Sequence, residues 1–206
     1  MILTPVDPAA LPHILDAFDQ GLVQMPRARD IFRRIAATRR FGTDLHGGCG
    51  KAVALARRFG IPTIDEEPAA AFSWDGRSIR TRSETSVVFH EIAHWQIAPP
   101  ERRALYDFGL GAGPETGRVA EADAAACVGN DVKEDEENLA SLLGILWEVE
   151  HGEPAVLAFA EQNWLELHDR PSTRDHFIAY VEKLTVRGLI DADGRPSGAG
   201  TLNHAA

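Results

Sequence analysis

Cysteine is nearly absent: Cys49 and Cys127 are the only two in 206 residues, far apart and without paired spacing. That excludes a disulfide framework and a thiolate zinc cage, and it fits a reducing compartment, so a cytoplasmic protein is expected. Positive charge is also short. Lys and Arg number 21 against 31 Asp and Glu, a net charge of -10. Binding that depends on neutralising many phosphates needs clustered cations, so nucleic acid is not an expected partner. Arg33, Arg34, Arg39 and Arg40 come nearest to a basic patch and read as the solvated face of a helix. No run approaches the roughly 20 apolar residues of a membrane span, and Met1 to Asp7 lacks the basic start and apolar stretch of a signal peptide. The expectation is a protein neither membrane-bound nor exported. There is no internal repeat. What remains is ordinary globular composition, 44% hydrophobic and 25% charged, with enough length for one domain that buries its own core. A single domain is expected over residues 1–191, followed by a disordered tail over 192–206.

Apolar periodicity makes the chain mostly helical. Pro8 to Gln20 carries Leu11, Ile14, Leu15 and Phe18 on one stripe, and Arg27 to Arg40 repeats the pattern. Phe41 to Lys51, FGTDLHGGCGK, reads as a glycine-rich loop before a helix that continues to about Phe59. It is not a phosphate loop: Leu45 stands where the first glycine belongs and Ala52 where a hydroxyl is needed. Pro62 to Ile64, Ala70 to Trp74 and Ser78 to Arg80, with Asp75-Gly76 between the last two, are expected as a small antiparallel sheet including a hairpin. Thr81 and Glu84 stand at capping-box spacing, which predicts a helix from near Arg82 to about Ile97, ended by Pro99-Pro100. A short helix at Glu101 to Tyr106, a glycine turn at Gly109 to Gly113 and helices over about Thr116 to Val128, Asn138 to Glu150, Pro154 to His168 and Ser172 to Arg187 complete the pattern.

The segment His90-Glu91-Ile92-Ala93-His94 carries the chemistry. At four-residue spacing on a helix both imidazoles leave one face about a turn apart, so they are positioned to share one divalent cation, with Glu91 close by. Neutral imidazole suits zinc, iron and copper. Val87, Val88, Phe89 and Trp95 around the pair argue for a buried helix rather than a surface one with two unrelated histidines. A catalytic centre needs a third protein ligand, normally a carboxylate. Glu121 is preferred, because it opens Glu-Ala-Asp-Ala-Ala-Ala on a small-residue helix where an acid has little reason to sit unless neutralised. Asp123 and Glu137 are the alternatives, the latter in the run Glu134 to Glu137 that reads as solvent-facing. His13, His46, His151, His168, His176 and His204 lack ligand spacing. The expected fold is α+β, mostly helical, with the small antiparallel sheet next to the metal-binding helix in a zincin-like arrangement.

HEIAHWQIAPPERRALYDFG, from His90 to Gly109, resembles the elongation factor P hydroxylase family, in His90, Glu91, His94, Trp95, Ile97, Ala98, Arg102, Arg103, Asp107, Phe108 and Gly109. Phe41, Thr43, Leu45, Gly47 and Gly48 resemble an upstream element of that family, and Glu67-Pro68 the Glu-Pro after it. Weaker likeness continues through Pro114, Gly117-Arg118, Asn138-Leu139, Arg170-Pro171 and Phe177-Ile178. The resemblance implies a two-histidine, one-carboxylate iron(II) oxygenase that hydroxylates a modified lysine of elongation factor P, with Glu121 as the carboxylate ligand. The chain departs from the family at Leu110-Gly111-Ala112-Gly113 and in the acidic run Asp131 to Glu137.

Three readings follow. In the first, an Fe(II) oxygenase acts on a protein substrate such as elongation factor P, and Glu91 orients a ligand or moves a proton. In the second, a Zn(II) peptidase or other hydrolase uses Glu91 as general base and the Ala70 to Trp74 strand to hold substrate backbone. In the third, a non-catalytic adaptor carries a structural metal, for which only three ligands are evident where four are usual. Arg102 and Arg103 are candidates to steer an acidic protein substrate, and Trp95 is expected to pack rather than to touch substrate.

Overall fold

The computed structural model describes residues 6–38, 49–67, 74–113 and 118–198. In chain order these form α1 (Leu11–Gly21), α2 (Pro26–Ala37), α3 (Gly50–Arg58), β1 (Thr63–Ile64), β2 (Ile79–Arg80), α4 (Thr85–Ile97), a 3-10 turn (Tyr106–Gly109), α5 (Val119–Ala125), α6 (Asn130–His151), α7 (Ala155–Glu161) and α8 (Pro171–Val186). The chain is therefore mostly helical, as expected. Where the sequence reads as one domain, the contacts divide into two compact units: residues 6–38 with 145–197, and residues 49–67, 74–113 and 118–144.

The first unit is a helical cluster around aromatic rings. On α1, Ile14, Leu15 and Phe18 are buried, and on α2 Ala28, Ile31, Phe32 and Ile35 recur at the three- and four-residue spacing that makes one stripe. Phe18 lies 4.7 Å from Phe32 and 5.8 Å from Phe177, and Phe159 closes the group 5.7 Å from Phe177. All four rings are fully buried, each contributing about 2–3 kcal/mol by burial. Pro26 and Pro171 occupy the first turns of α2 and α8, where their fixed φ suits a helix start and their missing N–H costs nothing. Residues 192–198, expected as the start of a tail, instead form a hydrogen-bonded turn. Asp191 N donates to Arg195 O, Ser197 N to Leu189 O, and Arg34 Nη2 to Gly194 O at 2.6 Å. The rest of the expected tail, 199–206, lies outside the described residues.

The second unit holds the sheet and α4. β1 and β2 run parallel, with Thr63 opposite Ile79 and Ile64 opposite Arg80, which corrects the antiparallel expectation. The expected strand at Ala70 to Trp74 falls outside the described residues except for Trp74. That residue makes a single antiparallel bridge to Ile79 across a turn in which Asp75 Oδ1 accepts from Arg77 N and Ser78 N. The parallel pair arises because the chain returns to Ile79 beside β1, and Thr81 then commits both its N–H and its hydroxyl to Ile64 O. For the same reason the expected capping box at Thr81 does not form. α4 starts three residues later than expected, with Glu84 as an extended N-cap. Its end is as expected: Ala98 is extended (ψ 133°), the conformation forced on a residue before proline. Nothing in the two-residue strands supplies the zincin-like arrangement of the sequence reading.

α4 is buried on nearly every side, from Val88 through Ile97. α6 passes close to it because residue 144 is glycine: a Cβ there would lie 3.1 Å from both Cα and N of His90. A side chain at that position would push the two backbones apart, so the glycine sets how near the acids at the start of α6 come to the histidines of α4.

Candidate metal centre

His90 and His94 leave α4 one turn apart, as their spacing predicts, and their Nε2 atoms stand 2.9 Å from each other. The third group is Glu137. Its Oε2 lies 3.5 Å from His90 Nε2 and 3.4 Å from His94 Nε2. His90, His94 and Glu137 are the group among the described residues whose ligand atoms converge closely enough to hold one cation.

Glu121, the preferred carboxylate of the sequence reading, is not part of this cluster. It is partly exposed and accepts from Arg118 Nε and Nη2 three residues earlier, and that guanidinium holds its carboxyl below the usual range. The acid on the small-residue helix is thus neutralised by the Arg118 guanidinium rather than by a metal ion. Asp123 accepts the Ala112 N–H at 3.0 Å and fixes the glycine turn before α5. Glu137, one of the two alternatives, takes the place because α6 begins at Asn130, eight residues before the expected start. The acidic run is therefore wound into helix rather than left as a solvent-facing stretch. The missed signal was the stripe itself. Leu139, Ala140, Leu143 and Trp147 are buried on α6, and stepping back three or four residues from the first two lands on Glu136, which is 4% exposed.

Around the three donors the unit concentrates buried charge. Burial opposes a proton on His94, yet the carboxylates of Glu137, Glu136 and Glu91 outweigh it and hold the imidazole well above its ordinary range. For Glu137 burial likewise acts upward, and the two histidines reverse it, keeping the carboxyl far below the usual range. Glu91 is buried, and its Oε2 has no hydrogen-bond partner. Asp107 is pushed up to about 7, first by burial, then by Glu91 and Glu137, with His94 and Lys133 acting the other way. It sits in a strained turn: Asp107, Phe108 and Gly109 all have positive φ, of 46°, 52° and 72°. Only the glycine adopts that region freely. The turn inserts the fully buried Phe108 ring between Trp74 (5.2 Å) and His94 (5.4 Å), both nearly parallel to it.

The donor set fits a divalent cation. A cation held at about 2.1 Å by nitrogen and oxygen keeps adjacent donors about 3.0 Å apart at right angles and about 3.4 Å apart in a tetrahedron, close to the 2.9, 3.4 and 3.5 Å found here. Two imidazole nitrogens and a carboxylate are the ligand types that zinc and iron(II) share. Buried atoms without partners gather at the same place: Nδ1 of His90 and of His94, Oε2 of Glu91 and Oε1 of Glu136. Such atoms are costly unless something in the functional state engages them.

Other residues singled out in the sequence lie elsewhere. Trp95 packs 6.2 Å from Phe59 and beneath the Arg103 guanidinium at 3.7 Å, so Arg103 covers a ring rather than standing free. Arg102 is buried and ion-paired to Glu136 instead of facing solvent. His46 lies outside the described residues. Comparison with known protein families, with curated proteins and with solved structures gave no match.

Proposed function

We propose that the chain is a metal-dependent enzyme holding one divalent cation through His90, His94 and Glu137, and that it is an iron(II) oxygenase of the elongation factor P hydroxylase type, hydroxylating a modified lysine of a protein substrate. The observation that carries the metal site is the convergence of three donor atoms within 3.5 Å of one another. The preference for iron rests on the resemblance of His90 to Gly109 to that family, and on a two-histidine, one-carboxylate set being the usual holder of non-heme iron(II). When bound, an iron(II) ion would activate dioxygen toward a C–H bond, one oxygen atom entering the substrate and the other leaving as water with two electrons from an external reductant. The chain's own part is to position and to move protons. His90 and His94 present neutral nitrogens from one turn of α4, and Glu137 supplies the balancing charge from α6. Asp107, poised near neutrality, holds or releases a proton beside Glu91.

A second reading is favoured by Glu91. Its carboxyl is buried with one oxygen unpartnered, follows His90 in the sequence and acts electrostatically on His94, which suits a general base. In that reading the same ligands hold zinc, Glu91 takes the proton of an attacking water, and the protein is a hydrolase.

One experiment separates the two. Protein purified without added metal is assayed for bound iron and zinc. It is then loaded anaerobically with ferrous iron, mixed with lysine-modified elongation factor P and a chemical reductant such as ascorbate, and exposed to oxygen. The oxygenase gives a gain of one oxygen atom on the factor by mass spectrometry. No gain on any candidate protein, together with zinc-dependent cleavage of peptides, would establish the hydrolase instead.

A further inference from the structure

We infer that Arg102 and Glu136 form a buried bracket that orients His94 as a metal ligand, Glu136 facing the edge of its ring and Arg102 tying that carboxylate to the residue that covers the ring's face; this rests on the three-donor reading above. The geometry has three parts. His94 Nε2 faces His90 and Glu137, so Nδ1 is the nitrogen left to carry hydrogen. That Nδ1 is buried without a hydrogen-bond partner, and Glu136 Oε1, itself buried and unpartnered, stands 3.7 Å away. Two orphaned buried atoms of complementary kind facing each other need only a small closure to satisfy both.

The second part is the anchor. Arg102 donates from Nη2 to Glu136 Oε2 in a very short contact and from Nη1 to the carbonyl oxygen of Phe108 at 3.0 Å. The third is the face. Phe108 lies against the His94 ring with centroids 5.4 Å apart and planes 19° from parallel. One guanidinium therefore fixes both the carboxylate at the edge of His94 and the strained turn that places an aromatic ring on its face. An ordinary buried ion pair explains neither the second donation nor the orphaned oxygen aimed at the imidazole. Glu136 and Glu137 are adjacent on α6, so a single turn of helix supplies both a ligand and the group behind another ligand.

A carboxylate behind a metal-binding histidine fixes its tautomer and raises the basicity of the ligating nitrogen, and its removal typically costs about 10–100-fold in metal affinity. Arg102 and Glu136 are positioning residues, and the test reads both properties. Wild-type protein, Glu136→Gln and Glu136→Met are titrated with Co(II), followed by its visible absorption. In the Zn(II)-loaded protein, where the metal takes Nε2, imidazole nitrogen–proton correlations in NMR report the hydrogen on His94 Nδ1 and its protection from exchange. Gln keeps an acceptor but loses charge, so the protected Nδ1–H is expected to persist with affinity about tenfold weaker. Met removes the acceptor: the Nδ1–H protection is lost and affinity falls by about 100-fold. Folded Gln and Met variants that bind Co(II) as tightly as wild type overturn the inference. Should the Met variant fail to fold, the near-isosteric Gln variant decides by affinity alone. Failure of the metal-site reading looks different, since wild-type protein then takes up no Co(II), and the bracket falls with it.

Discussion

In the unit built from α1, α2, α7 and α8 the interior is rings and aliphatic chains, and the buried polar side chains are Thr38 and Glu148. In the unit around α4 they are Glu91, His94, Gln96, Arg102, Glu136 and Ser141, six of the eight among the described residues. Buried charge is costly unless paired, so its concentration in one unit marks that unit as the place to look for a functional site. The aromatic unit shows what the same length of helix does without that demand: rings packed edge to face, and arginines kept at the rim on Asp19 and Glu150.

The largest effects test whether the division is real. Glu137→Ala should reduce Co(II) or Zn(II) affinity by about 100-fold or more, and His90→Ala or His94→Ala should abolish retention on dialysis, each leaving far-ultraviolet circular dichroism nearly unchanged. Glu121→Ala should leave affinity at the wild-type value; equal losses at Glu121 and Glu137 would place the third ligand wrongly. Conversely, Phe32→Ala in the aromatic unit should cost about 3–5 kcal/mol in denaturant unfolding without changing the metal affinity of folded protein. A Phe32 variant that loses metal while still folded would erase the distinction.

Glu148 sharpens the comparison, because among the described residues it is the one buried acid in the aromatic unit and none of its hydrogen bonds reaches Oε1. Burial, with Glu153 and Glu161 adding to it, pushes its carboxyl up to about 8 from 4.5. The group is therefore protonated in the folded protein at neutral pH, whereas the unfolded chain ionises from about 4.5 upward. As pH rises between those values the unfolded state loses the proton first, and stability falls until about pH 8. Glu148→Gln removes this slope. The variant should match wild type near pH 4 and exceed it by about 2–3 kcal/mol at pH 7 in urea unfolding. A gap that does not widen with pH contradicts the assignment. The smallest effect is expected at the rim. Arg33→Ala, whose side chain is 53% exposed beside Asp19, should leave the urea midpoint nearly unchanged, and closer still to wild type in high salt.

Much of the fold was legible in local pattern. Stripes such as Ile31, Phe32 and Ile35 on α2 placed the helices, and Pro99-Pro100 placed the end of α4, because both act through neighbours in sequence. What local pattern misjudged were groups recruited over distance. Thr81 fits a capping box by spacing, but Ile64 O, 17 residues away, takes its hydroxyl. Residues 192–198 read as tail from composition, yet Arg34 and Glu150 hold Gly194 and Arg195 in the aromatic unit. At the candidate metal centre the sequence brought His90 and His94 together and expected Glu121 beside them, where Glu137 stands instead. Glu121 lost to Glu137 because Arg118, three residues away, satisfies the one, while the glycine at 144 lets α6 bring in the other.

By itself the sequence determined that two imidazoles would leave one helix together, since a four-residue spacing on a helix permits nothing else. The packing of α6 on α4 decided which acid completes the set and which residues stand behind His94. Glu136 and Glu137 are 42 to 47 residues away from these histidines in the chain, and only the approach of two helix backbones, permitted where a side chain is missing, brings them within reach.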